Sequence, residues 1–512
     1  MGYYTVFRRW QWQFLLAANF VFYALSDAGN LVYIAAAIVT TYFASRRMAR
    51  LNAELESWAA ANPGAAKAET RERRAAVKAK RRVWLVLCLI VNLSALAVVK
   101  YAGFAIATAN GVRAAFGAEP FQMIDFVLPM GISFFTFQSL GYIIDAYRGK
   151  AAKGESFFRL AAFVSFFPQL IQGPISRYSD LSGTLFAPHA FSPEDFREGL
   201  FRALCGFFKK LVVADRLFAA IRALTADPAE YPGVYVLVAM IAYAVTLYCD
   251  FTGGIDIAIG VARALGVRVA ENFNRPFYSV SIADYWRRWH ITMGTWFRDY
   301  LFYPLSLSKP TQKLLKLTKK TFGPKLGMRV PVYISTAFVW FATGLWHGAS
   351  WNFIAWGVAN GLVIIISQEL SPVFAVVTKR FGLGSRTWWT AFRVVRTFWL
   401  MSFLRSFDIY ANVGATFRAY VSVFSGFGAS VARLSAEGLA ALGLYTADYV
   451  VVGVSVALMA LGGHLIHARG FRVSNLPFAG RFALFAAVCL AIVVFGAYGF
   501  GYDANQFIYN RF

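Results

Sequence analysis

The chain has 512 residues, 58% of them apolar and only 15% charged, where globular proteins carry about 25% charged residues. Fifty Phe, 25 Tyr and 14 Trp exclude a disordered chain, and a mean hydropathy of +0.51 excludes a water-soluble surface, leaving a polytopic membrane protein. Lys and Arg exceed Asp and Glu by 51 to 26; in a soluble protein that excess would suggest nucleic acid, but in a membrane protein it reports topology, and no nucleic-acid partner is expected.

Residues 1–12 place Arg8 and Arg9 ahead of an apolar stretch with no small-residue cleavage site, which reads as an uncleaved signal-anchor-like helix. A spanning helix needs roughly 20 mostly apolar residues. Uncharged stretches approaching that length occupy 31–44, 83–99, 126–144, 233–248, 330–345, 351–367, 449–465 and 482–498. With less regular ones they predict an all-α polytopic membrane protein of about 10 to 13 membrane segments, forming one membrane-embedded domain over 1–512. Residues 160–176 are also uncharged but contain Pro168 and Gly173-Pro174, which interrupt the helical ladder and predict a broken or re-entrant helix.

Two basic segments orient the chain. Residues 46–82 hold eleven Lys and Arg with four Glu and read as polar and partly helical, and residues 308–329 hold seven Lys and Arg with no acid. Both are expected as loops on the cytoplasmic side, touching anionic lipid. The segment 330–345 then runs outward and 351–367 returns, so His347 sits at the turn between them. The four cysteines, Cys88, Cys205, Cys249 and Cys489, are far apart in apolar contexts and offer no metal-ligand spacing.

Ionisable side chains inside membrane segments are costly and point to function. The densest such place, 272–304, gathers Asn272, Asn274, Asp284, Trp286, Arg287, Arg288, Trp289, His290, Trp296, Arg298 and Asp299. An interfacial amphipathic helix with snorkelling arginines would account for it equally well. In the second place, Trp346-His347-Gly348, the imidazole stands among glycines, with no Lys, Arg, Asp or Glu between 330 and 367. That isolation favours the neutral ring a general base requires, although a hydrogen-bonded core histidine fits the same pattern. No hydrolase elbow, phosphate loop or zinc spacing occurs, so transfer onto a hydroxyl is favoured over hydrolysis by a protein nucleophile.

Six blocks carry a resemblance: 131–149 (GISFFTFQSLGYIIDAYRG), 166–178 (FFPQLIQGPISRY), 248–260 (YCDFTGGIDIAIG), 271–277 (ENFNRPF), 285–304 (YWRRWHITMGTWFRDYLFYP) and 345–351 (LWHGASW). With these the chain resembles the membrane-bound O-acyltransferase family, in its bacterial alginate-acetylase-like branch. The resemblance implies a helical bundle with a central tunnel, His347 as the catalytic base and His290 as a second site histidine. Asn272, Asn274, Trp286, Arg287, Arg288, Arg298, Asp299 and Trp346 are implied to line substrate or tunnel. It further implies a multi-pass protein of the cytoplasmic membrane that binds no cofactor tightly and no metal. Its co-substrate would be an acyl thioester, acetyl-CoA or an acyl carrier protein. Its partners would be membrane lipids, an extracytoplasmic SGNH/esterase-like transferase and a polysaccharide acceptor. The long region past His347 favours this branch over D-alanyl transfer to teichoic acid, which stays open, as does a non-enzymatic flippase. The ending 507–512 (FIYNRF) resembles an aromatic motif in which Tyr509 relays the acyl group. Members of the family commonly begin with a further apolar segment ahead of a start like Tyr3-Tyr4, and its absence here leaves the side of the N-terminus open.

Overall fold

Helices dominate because hydrocarbon offers a bare backbone no hydrogen-bond partners, so each apolar stretch must satisfy its own peptide groups. The computed structural model describes residues 2–124, 126–150 and 154–498; Tyr509 and the motif 507–512 lie outside the described residues. The chain divides into two compact units, Met1–Phe196 with Ala262–Ala270 and Arg197–Val261 with Glu271–Phe512.

In the first unit α1 (Gln11–Asp27) leads into α2 (Leu31–Ala61), α3 (Lys67–Ala115) and α4 (Ile132–Tyr147). The basic segment 46–82 is helical on both sides of a short link, the end of α2 packing back along the start of α3 with Arg73 over the Trp58 ring at 4.5 Å. The expected span 126–144 is helical only from Ile132, since Pro129 and the left-handed Gly131 (φ 70°) delay its start. A side chain at Gly131 would collide with the Leu170 carbonyl. The helix over 160–176 is broken as expected, into α5 (Phe157–Val164) and the single turn α6 (Phe167–Leu170), with Pro168 in the first turn of the latter. Asn19 of α1 holds the break: its Nδ2 donates to Ser165 Oγ (3.2 Å) and its Oδ1 accepts from Phe167 N (3.0 Å). After the break comes α7 (Tyr178–Leu185).

The second unit takes over within α8 (Pro193–Phe207) and continues through a π-helical turn, Phe208–Ala214, into α9 (Asp215–Ala226) and α10 (Val234–Ala264). Glycines spaced seven apart let α8 and α10 touch: Gly206 meets Gly253, and Gly260 meets Gly199, at separations that admit no Cβ. Such small-residue seams are how helices associate in lipid, where there is no hydrophobic drive between them. The charges inside this seam are paired. Lys209 Nζ reaches Asp256 (2.6 Å), Arg202 joins Asp256 (2.8 Å) to Glu271 (2.5 Å), and Lys210 Nζ lies 2.6 Å from Asp215 and 2.7 Å from Asp250. Lys210 and Asp250 are buried, and a lone buried charge would cost several kcal/mol, so pairing is what makes these two tolerable.

Short helices α11 (Ile282–Arg288), α12 (Ile291–Phe297) and α13 (Tyr303–Ser306) precede the hairpin of α14 (Lys309–His347) and α15 (Trp351–Arg380). The segment 308–329, expected as a loop, is part of α14. Ser308 caps it by accepting from Thr311 N, and a break at the left-handed Gly323 (φ 76°) folds the chain back so that Thr318 Oγ1 donates to Gly327 O (2.7 Å). A Pro at the first turn and helix-forming lysines explain why a segment so polar stays helical. Then follow α16 (Thr387–Arg405), α17 (Val413–Ser425), α18 (Phe427–Ala432), α19 (Ala436–Ala440), α20 (Thr446–Arg469) and α21 (Phe478–Phe495). Among the described residues six helical segments, including α2, α3, α10, α15, α20 and α21, are long and apolar enough to cross a membrane. Of the eight stretches named from the sequence, 126–144 (in α4) and 330–345 (in α14) are not among these six.

Candidate active site

Within the second unit, the block 271–277 is clamped to the block 285–304 by an antiparallel bridge between Phe273 and Trp289. Asn274 N donates to Arg288 O (2.9 Å) and Ile291 N to Asn272 O (2.9 Å). Between them His290 adopts a left-handed backbone (φ 48°, ψ 54°), as does Arg275 (φ 49°). For residues with a Cβ this costs about 1–3 kcal/mol and persists only where neighbours over-determine it. Here the clamp on both sides does so, and the tight turn aims the His290 ring inward, where it is wholly buried.

Asn272, also wholly buried, fixes that ring. Its Oδ1 accepts from Thr292 N (3.0 Å) and Thr292 Oγ1 (3.0 Å), and lies 3.2 Å from His290 Nδ1. The backbone N–H of Thr292 identifies this atom as the oxygen, so Nδ1 carries the proton and, in the neutral ring, Nε2 carries the lone pair.

His347 is the last residue of α14, and 5% of it is exposed. Its place is set by the closeness of α14 and α15. Side chains at Gly344 and Gly357 would strike the carbonyls of Phe353 and Trp340, and one at Gly348 would overlap the Phe353 ring. Gly357 and Gly361 lie one turn apart on the same face of α15, both against Trp340. The glycines beside His347 are thus packing residues of the hairpin that presents it.

Aromatic rings join the two histidines. Trp346 lies 5.9 Å from His290 and 4.9 Å from His347 between ring centroids, and Trp356 lies 4.7 Å from His347. Trp286 continues the chain at 5.7 Å from Trp356 and 4.8 Å from Trp340. Over three of these rings sits the guanidinium of Arg405, with Cζ 4.7 Å from the Trp356 centroid, 5.3 Å from Trp289 and 5.5 Å from Trp286. Its Nη1 donates to Asp408 Oδ2 (3.2 Å), which also accepts from Tyr243 OH (3.3 Å).

The structure therefore gathers His290, His347, Asn272, Trp286 and Trp346. The other expected site residues have different partners: Arg287 and Arg288 pair with Asp284 (3.4 and 3.1 Å), and Arg298 pairs with its neighbour Asp299 (2.7 Å). Asn274 is engaged through its backbone N–H. Sequence reasoning missed Arg405, Asp408 and Tyr243. The signal was present, because Arg405 and Asp408 are the only charged residues between Arg396 and Arg418, the same isolation that singled out His347.

The model of the membrane-bound O-acyltransferase family matches residues 149–318. A probable alginate O-acetylase AlgI of Azotobacter vinelandii is 33% identical over 88% of this chain and 81% of its own length. The peptidoglycan O-acetyltransferase of Helicobacter pylori is 29% identical over 70% of this chain and 64% of its own. The teichoic acid D-alanyltransferase of Bacillus subtilis is 28% identical over 56% and 68% respectively. The chain belongs to the membrane-bound O-acyltransferase family: it is a multi-pass membrane acyltransferase.

Proposed function

We propose that the protein passes an acyl group, acetyl in the first instance, from a thioester on the cytoplasmic side across the membrane for O-acetylation of an exported or cell-wall polysaccharide, with His347 as the base. The observation that carries this reading is the buried His347 at the end of α14, ring against ring with Trp346 and Trp356 and joined through Trp346 to an oriented His290. A desolvated imidazole at a helix terminus can take a hydroxyl proton as that oxygen attacks the thioester carbonyl, then return it to the departing thiolate. Relatives named for alginate and peptidoglycan O-acetylation support the acyl group and the acceptor class. The relative named for teichoic acid D-alanylation keeps D-alanyl transfer as the second reading.

In this proposal about 10 to 13 segments surround a tunnel that brings a cytoplasmic donor, acetyl-CoA or an acyl carrier protein, to an extracytoplasmic acceptor. The lysines of 308–329 attract that anionic donor. The protein would reside in the cytoplasmic membrane and hand its acyl group to an SGNH/esterase-like transferase, with Tyr509 as the relay. A phenyl ester is more reactive than an alkyl ester, so a tyrosine is chemically suited to the hand-over.

His347→Ala is expected to insert normally and to lose at least about 100-fold of acyl transfer; undiminished polymer acetylation by membranes carrying it would sink the assignment. Offering labelled acetyl-CoA and D-alanyl carrier protein to the same vesicles separates the two acyl groups. For the relay, a labelled acyl adduct sensitive to hydroxylamine is expected on the peptide bearing Tyr509, and full activity of Tyr509→Phe would count against it.

A further inference from the structure

Four nitrogen donors around Arg405 make no hydrogen bond among the described residues: Arg405 Nε and Nη2, Trp286 Nε1 and Trp356 Nε1, all shielded from solvent. Their side chains lie together, since the guanidinium is 4.7 and 5.5 Å from the Trp356 and Trp286 ring centroids and those rings lie 5.7 Å apart. Arg405 itself is 5% exposed. A buried donor with no acceptor is costly, and more so when it is charged. Of the acceptors beside them, Asp408 Oδ1 is likewise without a hydrogen bond, and the Tyr285 hydroxyl lies against the guanidinium; the donors outnumber both. The cluster is thus rich in donors and short of acceptors, which makes it complementary to a ligand that brings an electron-rich oxygen. It also adjoins the base, for Trp356 stands 4.7 Å from His347.

We propose that Arg405, with the indole N–H groups of Trp286 and Trp356, receives the carbonyl oxygen of the acyl thioester and holds the charge that develops on it. The proposal rests on the acyl-transfer reading with His347 as base. In the step, a lone pair of the acceptor hydroxyl forms the new C–O bond and the carbonyl π pair moves onto oxygen, where the Arg405 and indole donors hold it; His347 takes the hydroxyl proton. On collapse the C=O bond re-forms, the C–S bond breaks with its electron pair on sulfur, and His347 returns the proton to the thiolate. The products are an ester and a free thiol, and no other reactant is consumed. A guanidinium suits this place because its charge is permanent and its donors are fixed in a plane. Asp408, by occupying Nη1, is a positioning residue that turns the remaining donors toward the ligand.

The test compares two non-transferable pantetheine ligands on the full chain in nanodiscs: S-(2-oxopropyl)-pantetheine, which has a carbonyl, and S-propyl-pantetheine, which lacks one. The wild type is expected to bind the ketone about 10- to 100-fold more tightly, the value of a charge-assisted hydrogen bond. Arg405→Gln combined with Asp408→Asn leaves no unpaired buried charge; it should keep the propyl affinity and bring the ratio to about one, whereas His347→Ala should keep the wild-type ratio. If the double variant does not fold, Trp286→Phe and Trp356→Phe, which keep a ring and delete one N–H, should each lower the ratio by about three- to tenfold. Equal affinities in the wild type, or a ratio these variants leave unchanged, would overturn the carbonyl site while leaving the His347 reading standing. Full turnover by His347→Ala would overturn that reading instead, and no binding of either ligand would overturn both.

Discussion

Asn272 holds three donors on one carbonyl oxygen, so the orientation of His290 and the start of α12 depend on a single side chain. Removing it leaves buried donors unsatisfied, each worth about 1–3 kcal/mol. Asn272→Ala is therefore expected to lower the thermal stability of the detergent-solubilised protein by several degrees and to reduce acyl transfer; a melting curve that superimposes on the wild type would count against this role. At the same scale, His290 and His347 were visible in the sequence because polar residues stand out where so little else is polar. Asn272 could be chosen there but not given a task, since its partner lies 18 residues away and meets it only through the Phe273 and Trp289 bridge. Arg405 is a further 115 residues on from His290 in sequence, and only folding lays its guanidinium on the indoles.

At the scale of elements, the hairpin of α14 and α15 determines where His347 stands. Its seam tolerates glycine alone at 344 and 357, because a Cβ there would strike a carbonyl of the opposing helix. Gly344→Ala and Gly357→Ala should each destabilise the protein by about 1–3 kcal/mol through overpacking and reduce activity by displacing His347. Gly453→Ala, in α20, meets nothing within 4 Å and should be neutral or slightly stabilising, since alanine is the better helix former. Thermal melts of the three variants check this, and a tolerated Gly357→Ala would remove the seam argument. The sequence showed two apolar stretches around a turn. It did not show that the glycines serve the contact between them, because a one-dimensional pattern does not say which faces meet. Helix breaks were legible in advance at Pro168 and Gly173-Pro174, where the covalent chemistry of the backbone is itself the cause.

For the whole molecule, 18 of the 51 basic residues lie in 46–82 and 308–329. Both segments are helical rather than loop-like, yet the charge asymmetry that governs orientation is unaffected by that difference. Single cysteines placed at Lys78 and Lys320 in a background lacking the four native cysteines should react with an impermeant maleimide only when the cytoplasmic face is opened. Labelling of either position in intact cells would reverse the orientation. The apolar composition, the helical class, the broken helix at 160–176 and the isolation of His347 are determined by the sequence, because each follows from what local residues can satisfy in lipid without help from elsewhere. The left-handed turn at His290, the aromatic chain through Trp346, and the placing of Arg405 over three indoles were decided only by the tertiary structure, because each needs side chains far apart in sequence to be brought within a few ångströms of one another.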